Sequence, residues 1–308
     1  MRPVDFFIVG QPKSGTTALA TFLDEHPEIA VSVPKEPGYM ASDLREESLR
    51  VHGDLRKIQV PDQRAYEECF ESAADGQLTG DASTWYLFSR NAATDIKAHN
   101  PDARIVVMLR EPISMLASLH RQYVNETVED ITDLTEAVAA EEDRKAGRRV
   151  PSRAPVPSLL HYRDRVRFRE QIERYHAAFG KDAVLVALNS DLRSDADRLY
   201  GDILAHIGVA DTAFRPDFRG VHESKSARSP LLNRIARSDV VKVPVRKLLG
   251  QRRYTELQKK VVEPALMTAA DRIQVDPELE AALKSELVDE VRYVSELTGR
   301  DLVTEWGY

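Results

Sequence analysis

Residues 6–17 read Phe6-Phe7-Ile8-Val9-Gly10-Gln11-Pro12-Lys13-Ser14-Gly15-Thr16-Thr17, and this stretch decides the architecture of the chain. An apolar run of the buried-strand type enters a loop bounded by Gly10 and Gly15 that carries one lysine and several hydroxyls. Ala18-Leu19-Ala20-Thr21-Phe22-Leu23 then continues with helical period. Strand, tight loop and helix in that order make an anion cradle. Backbone N–H groups at the helix start point at the ligand, the helix dipole favours negative charge there, and Gly15 permits close approach.

The two glycines stand where those of the ATP-binding pattern G-x-x-x-x-G-K-[ST] would, but Thr16 occupies the lysine position and the lysine has moved back to Lys13. A nucleotide kinase also needs a carboxylate, usually ending a second apolar strand, to hold magnesium on the phosphates. The best second strand, Arg104-Ile105-Val106-Val107-Met108-Leu109, ends instead in Arg110-Glu111-Pro112. A cation at that place suits a second anion better than a metal. The pattern therefore points to a nucleotide with two separate anionic groups, bound without a divalent ion. A nucleotide kinase with a degenerate loop stays open as an alternative, as does a nucleotide-binding interaction protein without turnover.

On these motifs the chain resembles the sulfotransferases that use 3'-phosphoadenosine 5'-phosphosulfate (PAPS), in the carbohydrate and tyrosyl branch with a glutamate base. In that family a P-K-S-G-T-T loop binds the 5'-phosphosulfate and R-x-P-x(5)-S binds the 3'-phosphate. Pro12 to Thr17 match the first motif, and Arg110-Glu111-Pro112-Ile113-Ser114-Met115-Leu116-Ala117-Ser118 match the second. The resemblance implies Lys13, Ser14, Gly15, Thr16, Thr17, Arg110 and Ser118 as cofactor-binding residues, with PAPS as cosubstrate and no metal. It also implies a P-loop nucleotide-kinase-like sulfotransferase fold. The second motif makes physical sense alone, because Pro112 suits a helix's first turn and Ser118 follows Arg110 by about two turns of ~3.6 residues. Arginine offers a phosphate a forked donor set and serine adds a hydroxyl.

For the acceptor side, Pro34-Lys35-Glu36-Pro37-Gly38-Tyr39-Met40 leaves the end of a second strand, Ile29 to Val33, on the same sheet edge as the Lys13 loop. Its similarity to the family's K-E-x-x-[FY] segment implies Glu36 as the base that takes the acceptor proton, with Lys35 beside it. Lys13 would stabilise the leaving oxygen. The alternative is an exposed Lys-Glu pair between two prolines. None of the eight histidines falls in this segment, although His120, two residues past Ser118, stays open. That moves the expected acceptor away from simple phenols and towards sugar-like, peptide or natural-product hydroxyls. The resemblance also places Lys225 and Arg228, in the loop Val221 to Ser229, near the 3'-phosphate, and Asp81-Ala82-Ser83-Thr84 near acceptor and cofactor.

The chain of 308 residues shows no internal boundary and is expected to form one α/β domain over 1–308, with a central parallel sheet flanked by helices. A net charge of −7 argues against a general nucleic-acid binder. A lone Cys69 excludes an intramolecular disulfide and fits a reducing compartment. The opening apolar run is too short for a membrane span. Golgi relatives carry an anchor, so a cytoplasmic enzyme acting on a small-molecule or glycan-like acceptor, with no nucleic acid or membrane partner, is expected. Further helices are expected near 62–70, 91–99, 132–144, 164–179, 194–207 and 277–299, a strand at 183–188, and a structured loop at 81–86. Residues 126–158, with prolines at 151, 155 and 157, read as a mobile acceptor-site flap or a solvated excursion. The C-terminal third shows no strong strand.

Overall fold

The computed structural model describes residues 3–55, 58, 60–218, 225–227, 267–269 and 274–308. Strand β1 (Phe6–Gly10) is the middle of a five-stranded sheet, and every residue of it is buried. It is flanked by β3 (Leu78–Ala82) and β4 (Arg104–Leu109), with β2 (Ile29–Val31) and β5 (Val184–Leu188) at the edges, in the order β2-β3-β1-β4-β5. All four pairings are parallel. Such a sheet is covered on both faces, which is why β1 and β4 read as unbroken apolar runs. Alternate residues feed two cores. Phe7, Val9, Ile105 and Val107 face one, and Phe6, Ile8, Val106 and Met108 the other.

The second face is covered by α1 (Thr16–Asp24) and α10 (Ala196–Ile207), whose Leu19, Phe22, Ile203 and Leu204 pack together with Phe6 and Ile8. The first face is covered by α5 (Pro112–Asn125), α8 (Phe168–Phe179) and the long C-terminal α11 (Pro277–Thr298). The stripe Leu279, Leu283, Leu287 and Val291 on α11 is fully within this core. Asp276 caps that helix by accepting from the Glu278 and Leu279 amides, Pro277 takes its first turn, and Gly299 ends it.

Several local expectations need correction. Asp81 and Ala82 lie on β3 and only residues after them form the loop. The Thr-Gly-Asp centre of β3 hides it in the sequence, yet Gly80 is required there. It pairs with Phe6, and a Cβ on it would come within 2.1 Å of the Phe6 ring. A further helix, α2 (Ser42–His52), buries only Leu44 and Ser48, too little apolar periodicity to be legible. The helix expected at 132–144 is two, α6 (Leu134–Ala139) and α7 (Glu141–Lys145), separated at Ala140. A 3-10 turn at Asp164–Val166 precedes α8, and α9 (Asn189–Ser194) precedes α10. Helices α3 (Gln63–Glu68), capped by Asp62, and α4 (Ala92–His99) fall where expected, and α12 (Leu302–Trp306) closes the chain. Two three-residue strands, β6 (Lys225–Ala227) and β7 (Met267–Ala269), pair antiparallel.

Residues 126–158 contain a buried ion pair. Arg144 Nη2 donates to Glu129 at 2.6 Å, with both side chains fully buried. The Asp130 and Ile131 amides and the Tyr162 hydroxyl complete the shell of the carboxylate. Burial alone would raise this carboxyl; Arg144 and these donors outweigh it and hold Glu129 below the usual range.

Candidate functional site

At the C-terminal end of β1 the chain turns through Gln11 and Pro12 into a left-handed Lys13 (φ 69°) and Gly15 (φ 90°), and α1 begins at Thr16. Side chains other than glycine pay about 1–3 kcal/mol for such a backbone, and they concentrate at functional sites. Gly15 is also crowded, since a Cβ there would lie 2.8 Å from Asn189 Nδ2 and 3.0 Å from Leu192 Cδ2. Ser14 is fully buried in this loop and its Oγ has no hydrogen-bond partner, although buried polar groups are nearly always paired. Thr16 is buried and Thr17 exposed. An orphan hydroxyl at the N-terminus of α1 is the donor a bound phosphate or sulfate group would satisfy, so the loop fits a phosphosulfate.

Strand β4 lies beside β1, with Gly10 opposite Met108, so its end delivers Arg110 to the same loop. Arg110 Nη1 donates to the Lys13 carbonyl oxygen at 3.3 Å. Glu111 caps α5 by accepting from the Ile113 and Ser114 amides, and Ser118 sits buried on that helix. Burial lowers the Lys13 ammonium from its ordinary pKa; Arg110 and Arg121 reinforce that, while Glu126 and Glu36 oppose it. Burial likewise lowers Arg110, with Arg193 and Arg121 adding to it. Lys13, Arg110, Arg121 and Arg193 thus bring four positive charges to bear on one loop. Arg121 and Arg193 escaped the sequence reading because they belong to no motif.

Glu36 reaches the cleft from the end of β2, and it too is left-handed, with φ 62°. Lys35 Nζ lies 2.5 Å from Glu36 Oε1, and Thr84 Oγ1 donates to Oε2 at 3.1 Å. The fully buried Asp81 holds this region together. It accepts from Tyr66, Tyr86 and Ser83, while the Gly38 amide donates to Ser83 Oγ and the Met40 amide to the Tyr86 oxygen. Burial pushes Asp81 up to about 6 against three stabilising hydrogen bonds. Sequence resemblance brought Asp81 to Thr84 near the site; Tyr66 and Tyr86 carried no signal of their part in it.

Glu36 opens on a cavity of about 240 Å³ with Pro12 of the Lys13 loop at its edge. Gln122, Tyr123 and Glu126 of α5 and its C-cap also line it. Ser118, Gln122 and Glu126 recur at four-residue spacing, a signal that could have found them. From the segment 126–158, Val128 and Pro155 reach the cavity. His120 is buried, its Nε2 bonded to the Ile131 carbonyl at 2.9 Å, and burial lowers its pKa. Arg228 lies outside the described residues, as does the side chain of Lys225.

A family model described as the sulfotransferase family matches residues 3–157, just over half the chain. The chain belongs to the sulfotransferase family. Among sulfotransferases of known sequence, it is 27% identical over 168 residues to human carbohydrate sulfotransferase 15, covering 43% of this chain and 30% of the relative. It is 28% identical over 120 residues to human heparan sulfate glucosamine 3-O-sulfotransferase 6, covering 39% of this chain and 30% of that protein. The matched stretch thus spans less than a third of either relative. In fold, the sulfotransferase from Alicyclobacillus acidocaldarius superposes with a TM-score of 0.70 at 24% identity, covering 100% of both chains.

Proposed function

We propose that this sulfotransferase-family chain moves the sulfuryl group of PAPS to a hydroxyl of a sugar-like, peptide or natural-product acceptor by direct in-line transfer. The observation that carries the proposal is the hydrogen bond from Arg110 to the Lys13 carbonyl, which joins two anion-binding motifs in one cleft. A ligand with negative groups at both ends of an adenosine matches that pair. Because Arg110 follows directly on β4, where a kinase would hold magnesium through a carboxylate, the second anion would be met by a cation.

The backbone at the start of α1, with Ser14, Thr16 and Thr17, would take the 5'-phosphosulfate, and Arg110 with Ser118 the 3'-phosphate. By resemblance to the family, Lys225 and Arg228 would also reach the latter. In the reaction the acceptor hydroxyl loses its proton to Glu36 as its oxygen bonds to sulfur. The bond from sulfur to the 5'-phosphate oxygen breaks, its electron pair stays with the adenosine 3',5'-bisphosphate, and Lys13 meets the growing charge. Lys35 holds the Glu36 carboxylate in place. The acceptor class rests on the curated relatives, which are named for carbohydrate and heparan sulfate chemistry, and on Glu36.

The test is mass spectrometry of acceptor mixtures incubated with PAPS. The expected result is a gain of one sulfuryl group that depends on PAPS and is lost in Glu36→Gln. Full activity in Glu36→Gln would remove Glu36 as the base.

A further inference from the structure

The cavity beside Glu36 has a small volume and a charge of one sign. At about 240 Å³ it falls below the ~300–1,000 Å³ of clefts that enclose drug-sized ligands. Part of its wall is apolar: Pro12 from the Lys13 loop, Leu119 from α5, Val128 and Pro155 from the following segment. Trp85 and Tyr123 supply aromatic surface. Among the described residues, the only acidic or basic side chains lining it are Glu36 and Glu126.

The two carboxylates are not equivalent. Glu36 is held by Lys35 at 2.5 Å. Glu126 has no ion-pair partner among the described residues and accepts only the Gln122 side-chain amide, at 3.1 Å. It stands at the C-cap of α5, where the helix dipole disfavours a negative side chain. Thr127 then leaves the helix with a left-handed φ of 60°. Glu126 is also the carboxylate that bears more strongly on Lys13, ahead of Glu36. Glu126 thus puts a second carboxylate, one without an ion-pair partner among the described residues, on the wall of the cavity.

We propose that the acceptor group entering this pocket is a single ring bearing a hydroxyl and no negative charge, neutral or cationic, and that Glu126 sets this preference. The inference rests on Glu36 being the acceptor-side base. An anionic ring would face the part-exposed carboxylates of Glu36, paired with Lys35, and of Glu126, which has no ion-pair partner among the described residues. A neutral ring gains burial against Trp85 and Tyr123, and an ammonium group on it would pair with Glu126.

The test uses three matched probes, the 4-nitrophenyl β-glycosides of glucosamine, glucose and glucuronic acid, which differ in charge on one ring. Their dissociation constants are measured calorimetrically on the full chain saturated with adenosine 3',5'-bisphosphate at low salt. The expected ranking has the glucuronide weaker than the glucoside by about tenfold or more, the equivalent of one pKa unit of charge interaction, and the glucosaminide at least as tight as the glucoside. In Glu126→Gln the glucuronide penalty should shrink to within about threefold. A glucuronide that binds the wild-type chain as tightly as the glucoside overturns the proposal, as does failure of all three to bind. A penalty unchanged in Glu126→Gln overturns the part assigned to that residue. Binding is read without turnover, so an intact ranking in a chain that never transfers sulfuryl groups would fail the Glu36 assignment alone.

Discussion

Replacing Arg110 by methionine keeps an apolar stem of similar length and removes the guanidinium. In the free protein this deletes the bond to the Lys13 carbonyl, worth about 1 kcal/mol, so the fold should persist. With the 3'-phosphate bound as proposed, it would also remove a charge-assisted hydrogen bond, worth about 1.5–3 kcal/mol. Arg110 is half-buried, so salt screens that interaction less than on an open surface. At ~1.4 kcal/mol per tenfold, the dissociation constant should rise by roughly 10- to 150-fold. Calorimetry with adenosine 3',5'-bisphosphate and with adenosine 5'-phosphate separates the 3'-phosphate from the rest of the nucleotide. The bisphosphate should lose this affinity and the monophosphate should change by less than about threefold. Equal losses for both ligands would refute the placement of the 3'-phosphate on Arg110.

Two further outcomes test the scaffold. Gly80→Ala drives a Cβ to within 2.1 Å of the Phe6 ring and should cost about 1–3 kcal/mol or more in urea unfolding, with Phe6→Leu in the same chain restoring part of it; wild-type stability in Gly80→Ala would contradict the β1–β3 packing. Asp81 is raised from 3.8 to about 6, so between those values the native state holds more protons than the unfolded chain. Stability should therefore fall as pH rises through that window, by about 3 kcal/mol in all at ~1.4 kcal/mol per unit, and Asp81→Asn should flatten the slope. A slope that survives in Asp81→Asn would assign it to other groups.

Legibility followed the local physics. The Lys13 loop, the Arg110 strand end and the cap at Asp276 could be read because each is a short-range signal: glycine spacing, an apolar run, an aspartate before proline. That Lys13 and Arg110 meet required only that β1 and β4 be parallel neighbours. Strand β3 was illegible because Gly80 serves a ring from the neighbouring strand, a requirement no window of sequence contains. The Asp81 network escaped for the same reason, since Tyr66 is 15 residues away from the carboxylate it serves. Glu126 looks like any polar helix end until Pro12, Trp85 and Pro155 arrive around it from three distant segments.

The most direct measurement is thermal unfolding of the wild-type chain with adenosine 3',5'-bisphosphate in EDTA, set against the same chain with Mg-ATP. At a hundredfold excess over the dissociation constant, the bisphosphate should add about 2.7 kcal/mol without any divalent ion, and the gain should drop in both Lys13→Met and Arg110→Met. Stabilisation by Mg-ATP alone, with none from the bisphosphate, would contradict a cleft built for two phosphate groups.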